Sequence, residues 1–135
     1  MPAGASPSSS HLGRLLFADD DEWIRESSVP LLEDLGFEVV AVEDGVEALG
    51  AFERARAEGA PFRLAVLDVR MPRLHGTDIV RQLVAADAEI RVILVSGFDR
   101  DYLDAGLFSS GRVGFVQKPA EAEDILKELA ALTRG

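Results

Sequence analysis

Hydrophobic positions follow two alternating spacings along this chain from Leu12 onward. Short apolar runs of strand length occur at 12–18 (LGRLLFA), 37–42 (FEVVAV), 64–67 (LAVL), 91–95 (RVILV) and 114–117 (GFVQ). Between them the apolar residues recur at helical spacing. Ile24, Leu31, Leu32 and Leu35 share one face, as do Val46, Leu49 and Phe52; Ile79, Val80, Leu83 and Val84 make a third such face, and Ile125, Leu126, Leu129 and Leu132 a fourth. A weaker pattern over 100–108 predicts a further helix, so five helices are expected. Gly36, Gly59 and Gly111 fall where helices should stop. Pro30 lies inside the first helix and predicts a bend over residues 26–30.

Strands alternating with helices predict an α/β fold: a doubly wound, five-stranded parallel sheet with right-handed crossovers and helices on both faces. The strands are near-continuous apolar runs, as expected when both faces are buried. A chain of 135 residues has room for one such domain, expected over 12–134. Residues 2–11 (PAGASPSSSH) cannot bury enough apolar surface to offset their ordering entropy, so 1–11 is expected to be a disordered leader or linker. Hydrophobic residues make up 47% of the chain and the mean hydropathy is +0.10, which suits a globular core. Twenty-four acidic residues against 14 basic ones set a net charge of −10, which argues against direct binding to nucleic acid or anionic membrane. Without cysteine there is no disulfide, thiolate metal site or thiol nucleophile. The apolar runs are too short to span a bilayer and no signal-peptide pattern opens the chain, so a cytoplasmic location is expected.

In open parallel sheets the ligand crevice lies beyond the carboxyl ends of the strands. The first strand ends in Asp19, Asp20, Asp21 and Glu22, the third in Asp68, the fourth in Ser96 and the fifth in Lys118. Parallel strands bring these residues to one edge. Carboxylates gathered there repel one another unless a cation joins them, and an all-oxygen set without His or Cys suits Mg²⁺. Lys118 adds an ammonium and Ser96 a hydroxyl, the groups that neutralise a transferring phosphoryl group. Asp68 can then act as a nucleophile that forms an acyl phosphate. Taken singly, each residue has a plainer role: Asp20 or Asp21 as a helix N-cap, Asp68 or Ser96 as a turn former, Lys118 as a solvated surface charge. Convergence of four strand ends is what no turn or cap requires.

The stretches LLFADDDE (15–22), LAVLDVRMPRLHG (64–76), VILVSG (92–97) and GFVQKP (114–119) resemble the receiver domain of bacterial two-component response regulators. Their order and spacing carry the likeness: Asp68 follows Asp20 by 48 residues, Ser96 follows Asp68 by 28 and Lys118 follows Ser96 by 22. The resemblance implies a flavodoxin-like sheet in the order 2-1-3-4-5. It implies that Asp68 accepts a phosphoryl group from a phosphohistidine on a histidine kinase or histidine phosphotransfer protein. Asp19 and Asp20, with Asp68 and the backbone carbonyl of Arg70, resemble the Mg²⁺ ligands. Ser96 and Lys118 match the groups that engage the phosphoryl oxygens, and Phe115 matches the aromatic whose rotamer follows the hydroxyl. A cis Lys118–Pro119 bond is expected on the same ground.

Arg70 stands beside the path of an attacking water and has two readings, a tuner of phosphate lifetime or a solvated arginine. His75 reads as a solvated loop residue, and Trp23 as a partly exposed residue at the start of the first helix. The implied protein is a signalling phosphoacceptor with an unknown downstream protein partner, monomeric or weakly dimeric, and not chiefly an enzyme. The leader, VSGF and GFVQKP lean toward the receiver of a hybrid histidine kinase. The alternative is a Mg²⁺-dependent phosphohydrolase with an aspartyl-phosphate intermediate, because Asp19 and Asp21 form an Asp-x-Asp; that family has Thr or Val where Trp23 stands, and a cap domain.

Overall fold

The computed structural model describes residues 12–134; the leader expected over 1–11 lies outside them. In chain order the elements are β1 (Gly13–Ala18), α1 (Glu22–Leu35), β2 (Phe37–Val42), α2 (Gly45–Ala57), β3 (Leu64–Asp68), α3 (Gly76–Ala86), β4 (Arg91–Ser96), β5 (Val113–Gln117) and α4 (Ala122–Arg134). The strands form one parallel sheet in the order β2-β1-β3-β4-β5, the predicted topology.

Side chains of a strand alternate between faces, and the sheet sorts them into two cores. Leu15, Phe17, Val66, Ile93 and Val95 pack with Leu32 of α1 and Ile125 of α4. Leu16, Ala18, Ala65, Leu67, Val92 and Leu94 pack with Phe52 of α2 and with Ile79, Val80 and Leu83 of α3. The two-sided burial explains why β1, β3 and β4 are apolar at successive positions.

Helix ends follow local chemistry. The Asp21 carboxylate accepts the Trp23 and Ile24 N–H groups and caps α1; Gly36 closes it at φ 117°, donating to the carbonyls of Leu32 and Glu33. The α1 helix is unbroken through Pro30, which sits on its exposed side, where the missing N–H costs least. No helix among the described residues is long and apolar enough to cross a membrane.

The expectation of five helices is corrected to four α-helices among the described residues. The weakly patterned stretch after β4 forms two 3-10 turns, Arg100–Tyr102 and Ala105–Phe108. Asp99 accepts the N–H of Asp101, and Asp104 that of Gly106. Such aspartate-to-backbone bonds compete with an α-helix, and Gly106 weakens it further. Gly111, expected to end a helix, instead closes this loop at φ 79°.

Candidate functional site

The register carries Asp19, Asp68, Ser96 and Lys118 to the same end of the sheet. Ala18 lies beside Val42 and Leu67, Asp68 beside Val95, and Ser96 beside Gln117, so β1, β3, β4 and β5 finish together. Asp19, Asp20 and Asp68 each offer a carboxylate oxygen, all within 4.8 Å of one another. Asp19 and Asp68 are buried, while Asp20 is exposed. The Lys118 ammonium lies 3.0 Å from Asp68 Oδ2 and 3.3 Å from Asp19 Oδ2. The Lys118–Pro119 peptide is cis, and the Lys118 N–H donates to the Ser96 carbonyl at 2.7 Å.

Burial pushes the Asp68 carboxyl above its ordinary value and Asp19 adds to the rise, against the pull of the Lys118 hydrogen bond. Burial works against the Lys118 charge, yet Asp68 and then Asp19 hold the ammonium above the usual lysine value. Three carboxylates facing one ammonium leave two negative charges uncompensated.

The other expected residues take varied places. The Ser96 hydroxyl is buried and accepts the Phe98 N–H at 3.0 Å rather than meeting Asp68. The Arg70 N–H donates to Asp68 Oδ1 at 3.2 Å, and its exposed guanidinium lies 5.5 Å from the Phe98 ring centroid. Phe115 packs part-buried against the α2–α3 core, and its N–H donates to Glu128 of α4. His75 is exposed at the N-cap of α3, outside the acidic cluster. Asp21 is spent on capping α1, so its carboxylate is not the second half of an Asp-x-Asp pair in the crevice. A cleft of about 680 Å³ opens from Asp19, Asp68 and Lys118 along Trp23, Leu31 and Ile125 between α1 and α4.

Residues 15–130 match the family model of the response regulator receiver domain. The chain belongs to this family, whose members act in two-component signalling. The response regulator MprA of Mycobacterium leprae (strain TN) is 33% identical over 121 residues, 90% of this chain and 51% of that protein. The chain thus spans about half the length of the curated relatives it matches. The CheY-like receiver domain protein of Methanospirillum hungatei JF-1 superposes with a TM-score of 0.73 at 25% identity, covering 90% of this chain and 94% of that one. A Burkholderia pseudomallei response regulator, solved with a phosphorylated aspartic acid, calcium ion and citrate, shares the fold at TM-score 0.73 and 22% identity. Their overlap covers 90% of this chain and 69% of that structure.

Three supports of this receiver site were given no role by the sequence, Gly76 within a quoted motif and Arg25 and Glu128 outside all of them. Gly76 opens α3 against the Asp68 carbonyl: a Cβ there would sit 2.5 Å from that oxygen, and its N–H donates to Val69. Arg25, one turn into α1, donates to the Asp19 carbonyl at 2.8 Å. Glu128 meets the free edge of β5 at Phe115. A glycine that follows an acidic strand end by eight residues was the available signal for the first. The other two depend on how α1 and α4 lie on the sheet.

Proposed function

We propose that this receiver accepts a phosphoryl group on Asp68 from the phosphohistidine of a histidine kinase or histidine phosphotransfer protein, and that Mg²⁺ is its cofactor. The single observation behind this reading is the under-neutralised carboxylate pair, Asp19 and Asp68, buried at the sheet edge with Lys118 between them. An Asp68 oxygen bonds to phosphorus as the phosphorus–nitrogen bond of the donor breaks, and the leaving imidazole takes a proton from solvent. Asp19, Asp20, Asp68 and the Arg70 carbonyl would hold Mg²⁺, which would supply positive charge to the phosphoryl oxygens. Lys118, already on Asp68, pairs with the new charge, which is about −1.5 to −2.

The Ser96 hydroxyl, occupied by the Phe98 N–H before transfer, turns to donate to a phosphoryl oxygen. That movement frees space toward Phe115 on the neighbouring strand and biases the β4–β5–α4 surface read by a downstream protein. Arg70, resting on Phe98 at the crevice rim, governs the approach of water to the acyl phosphate. The phosphorylated aspartic acid in the Burkholderia pseudomallei structure is in keeping with this chemistry. The domain acts in the cytoplasm, without direct contact to nucleic acid.

Incubation with Mg²⁺ and acetyl phosphate, read by intact mass, tests the proposal. The wild type gains one phosphoryl group, about 80 Da, and Asp68→Asn gains none. Equal labelling of both proteins refutes it, and catalytic turnover of small phosphoesters without stoichiometric labelling would instead favour a phosphohydrolase.

A further inference from the structure

The loop between Asp68 and Gly76 is clamped at two places. At its far end Gly76 presses on the Asp68 carbonyl, as above. In its middle the loop lies on the first turn of α2: a Cβ on Gly45 would fall 2.1 Å from the Leu74 carbonyl oxygen, and the Gly45 N–H points to the Pro72 carbonyl at 3.4 Å. Between these contacts Arg73 adopts φ 69°, the one non-glycine residue in the left-handed region among those described. A residue with a Cβ is disfavoured there and persists only where surroundings over-determine the backbone.

The surrounding group is Asp44. Arg73 Nε and Nη2 both donate to its Oδ2, at 3.1 and 2.7 Å. Its other oxygen, Oδ1, accepts the Glu47 N–H at 2.8 Å and caps α2. One carboxylate therefore fastens the loop to the end of a helix whose position is set by the core. The same loop carries Arg70, whose N–H holds Asp68 Oδ1.

We infer that the Arg73–Asp44 ion pair is a positioning device for the Mg²⁺ site: it holds the loop so that the Arg70 backbone and the Asp68 carboxylate are set before the ion arrives. The inference rests on the phosphoacceptor reading of Asp68. Neither residue touches the ion or the phosphoryl group. Both act through the loop, as outer-shell partners act on first ligands.

The test is Mg²⁺ titration of the unphosphorylated protein by calorimetry, paired with acetyl phosphate labelling over a range of Mg²⁺. Arg73→Gly removes the ion pair while suiting the left-handed backbone. Asp44→Asn keeps an oxygen to cap α2 and removes the charge. Each variant is expected to bind Mg²⁺ about tenfold more weakly, and the double variant no more weakly than either. The labelling rate at saturating Mg²⁺ should stay that of the wild type, a split that general loosening of the fold would not produce. Arg73→Lys should recover part of the affinity. Wild-type affinity in both single variants, with a wild type that binds Mg²⁺ and labels at Asp68, overturns this inference alone. A wild type that takes neither Mg²⁺ nor a phosphoryl group overturns the parent reading and this inference with it.

Discussion

Two acidic clusters stand at the carboxyl edge of this sheet, and their carboxylates are employed differently. In Glu43, Asp44 and Glu47 every carboxylate has structural work: Asp44 caps α2 and binds Arg73, Glu47 accepts the Glu43 N–H, and Glu43 pairs with Arg25. The Glu47 N–H bond comes first in holding the Asp44 carboxyl below its ordinary value, with Arg73 adding to it. In Asp19, Asp20 and Asp68 a single ammonium pairs with two of the three carboxylates, and burial drives Asp68 the other way. Both clusters are equally acidic on paper. The difference lies in partners: a carboxylate satisfied by backbone N–H and guanidinium is structure, and a buried one left short of positive charge is chemistry in waiting.

The contrast is most sharply broken at the cations. Lys118→Met, measured by urea denaturation in EDTA, should cost about 3 kcal/mol by stranding two buried carboxylates. Arg73→Met, whose side chain is mostly in solvent, should cost clearly less. Equal losses would erase the distinction. Next in size is the response to Mg²⁺, worth about 2.7 kcal/mol of stability at a hundredfold excess over the dissociation constant. It should vanish in Asp68→Asn and persist in Glu47→Gln; thermal unfolding with and without Mg²⁺ reads both.

Smaller still, and opposite in sign, are the effects of neutralising one acid from each cluster. At pH 7 without divalent ions, Asp68→Asn should stabilise the domain, whereas Asp44→Asn should destabilise it. Because the folded-state Asp68 carboxyl lies above its unfolded value of 3.8, the wild type regains stability as pH falls through that raised value. The advantage of Asp68→Asn should therefore shrink on acidification and be gone below about pH 4. Asp44 titrates below 3.8 when folded, so its contribution is present above 3.8 and lost as pH falls through the lowered value. Parallel pH profiles for the two variants would contradict this. The smallest expected signal is Trp23 fluorescence: the indole is 73% exposed but lines the cleft with Asp19 and Asp68, so Mg²⁺ should shift its emission slightly, and not in Asp68→Asn.

Five strands were legible because β1, β3 and β4 are buried on both faces, which leaves unbroken apolar runs that local pattern detects. The stretch after β4 misled for the converse reason. Leu103, Leu107 and Phe108 keep a loose helical spacing, but Asp99 and Asp104 draw the backbone N–H groups into tight turns. At the site, the strand ends pointed to Asp19, Asp68, Ser96 and Lys118 as neighbours of one crevice. Which of the consecutive aspartates caps α1 was open, since Asp20 and Asp21 differ by one position along a turning chain. Asp21 became the cap because its carboxylate meets the Trp23 and Ile24 N–H groups, leaving Asp20 with Asp19 and Asp68.

Periodicity and strand-end chemistry are local properties, so the sheet, its order and the residues at its edge could be read along the chain. Charge compensation is a property of space. That Lys118 falls between Asp19 and Asp68 and that Arg73 is drawn to Asp44 depend on packing of elements distant in the chain. Only the folded arrangement could say which acids were satisfied and which were left for a cation.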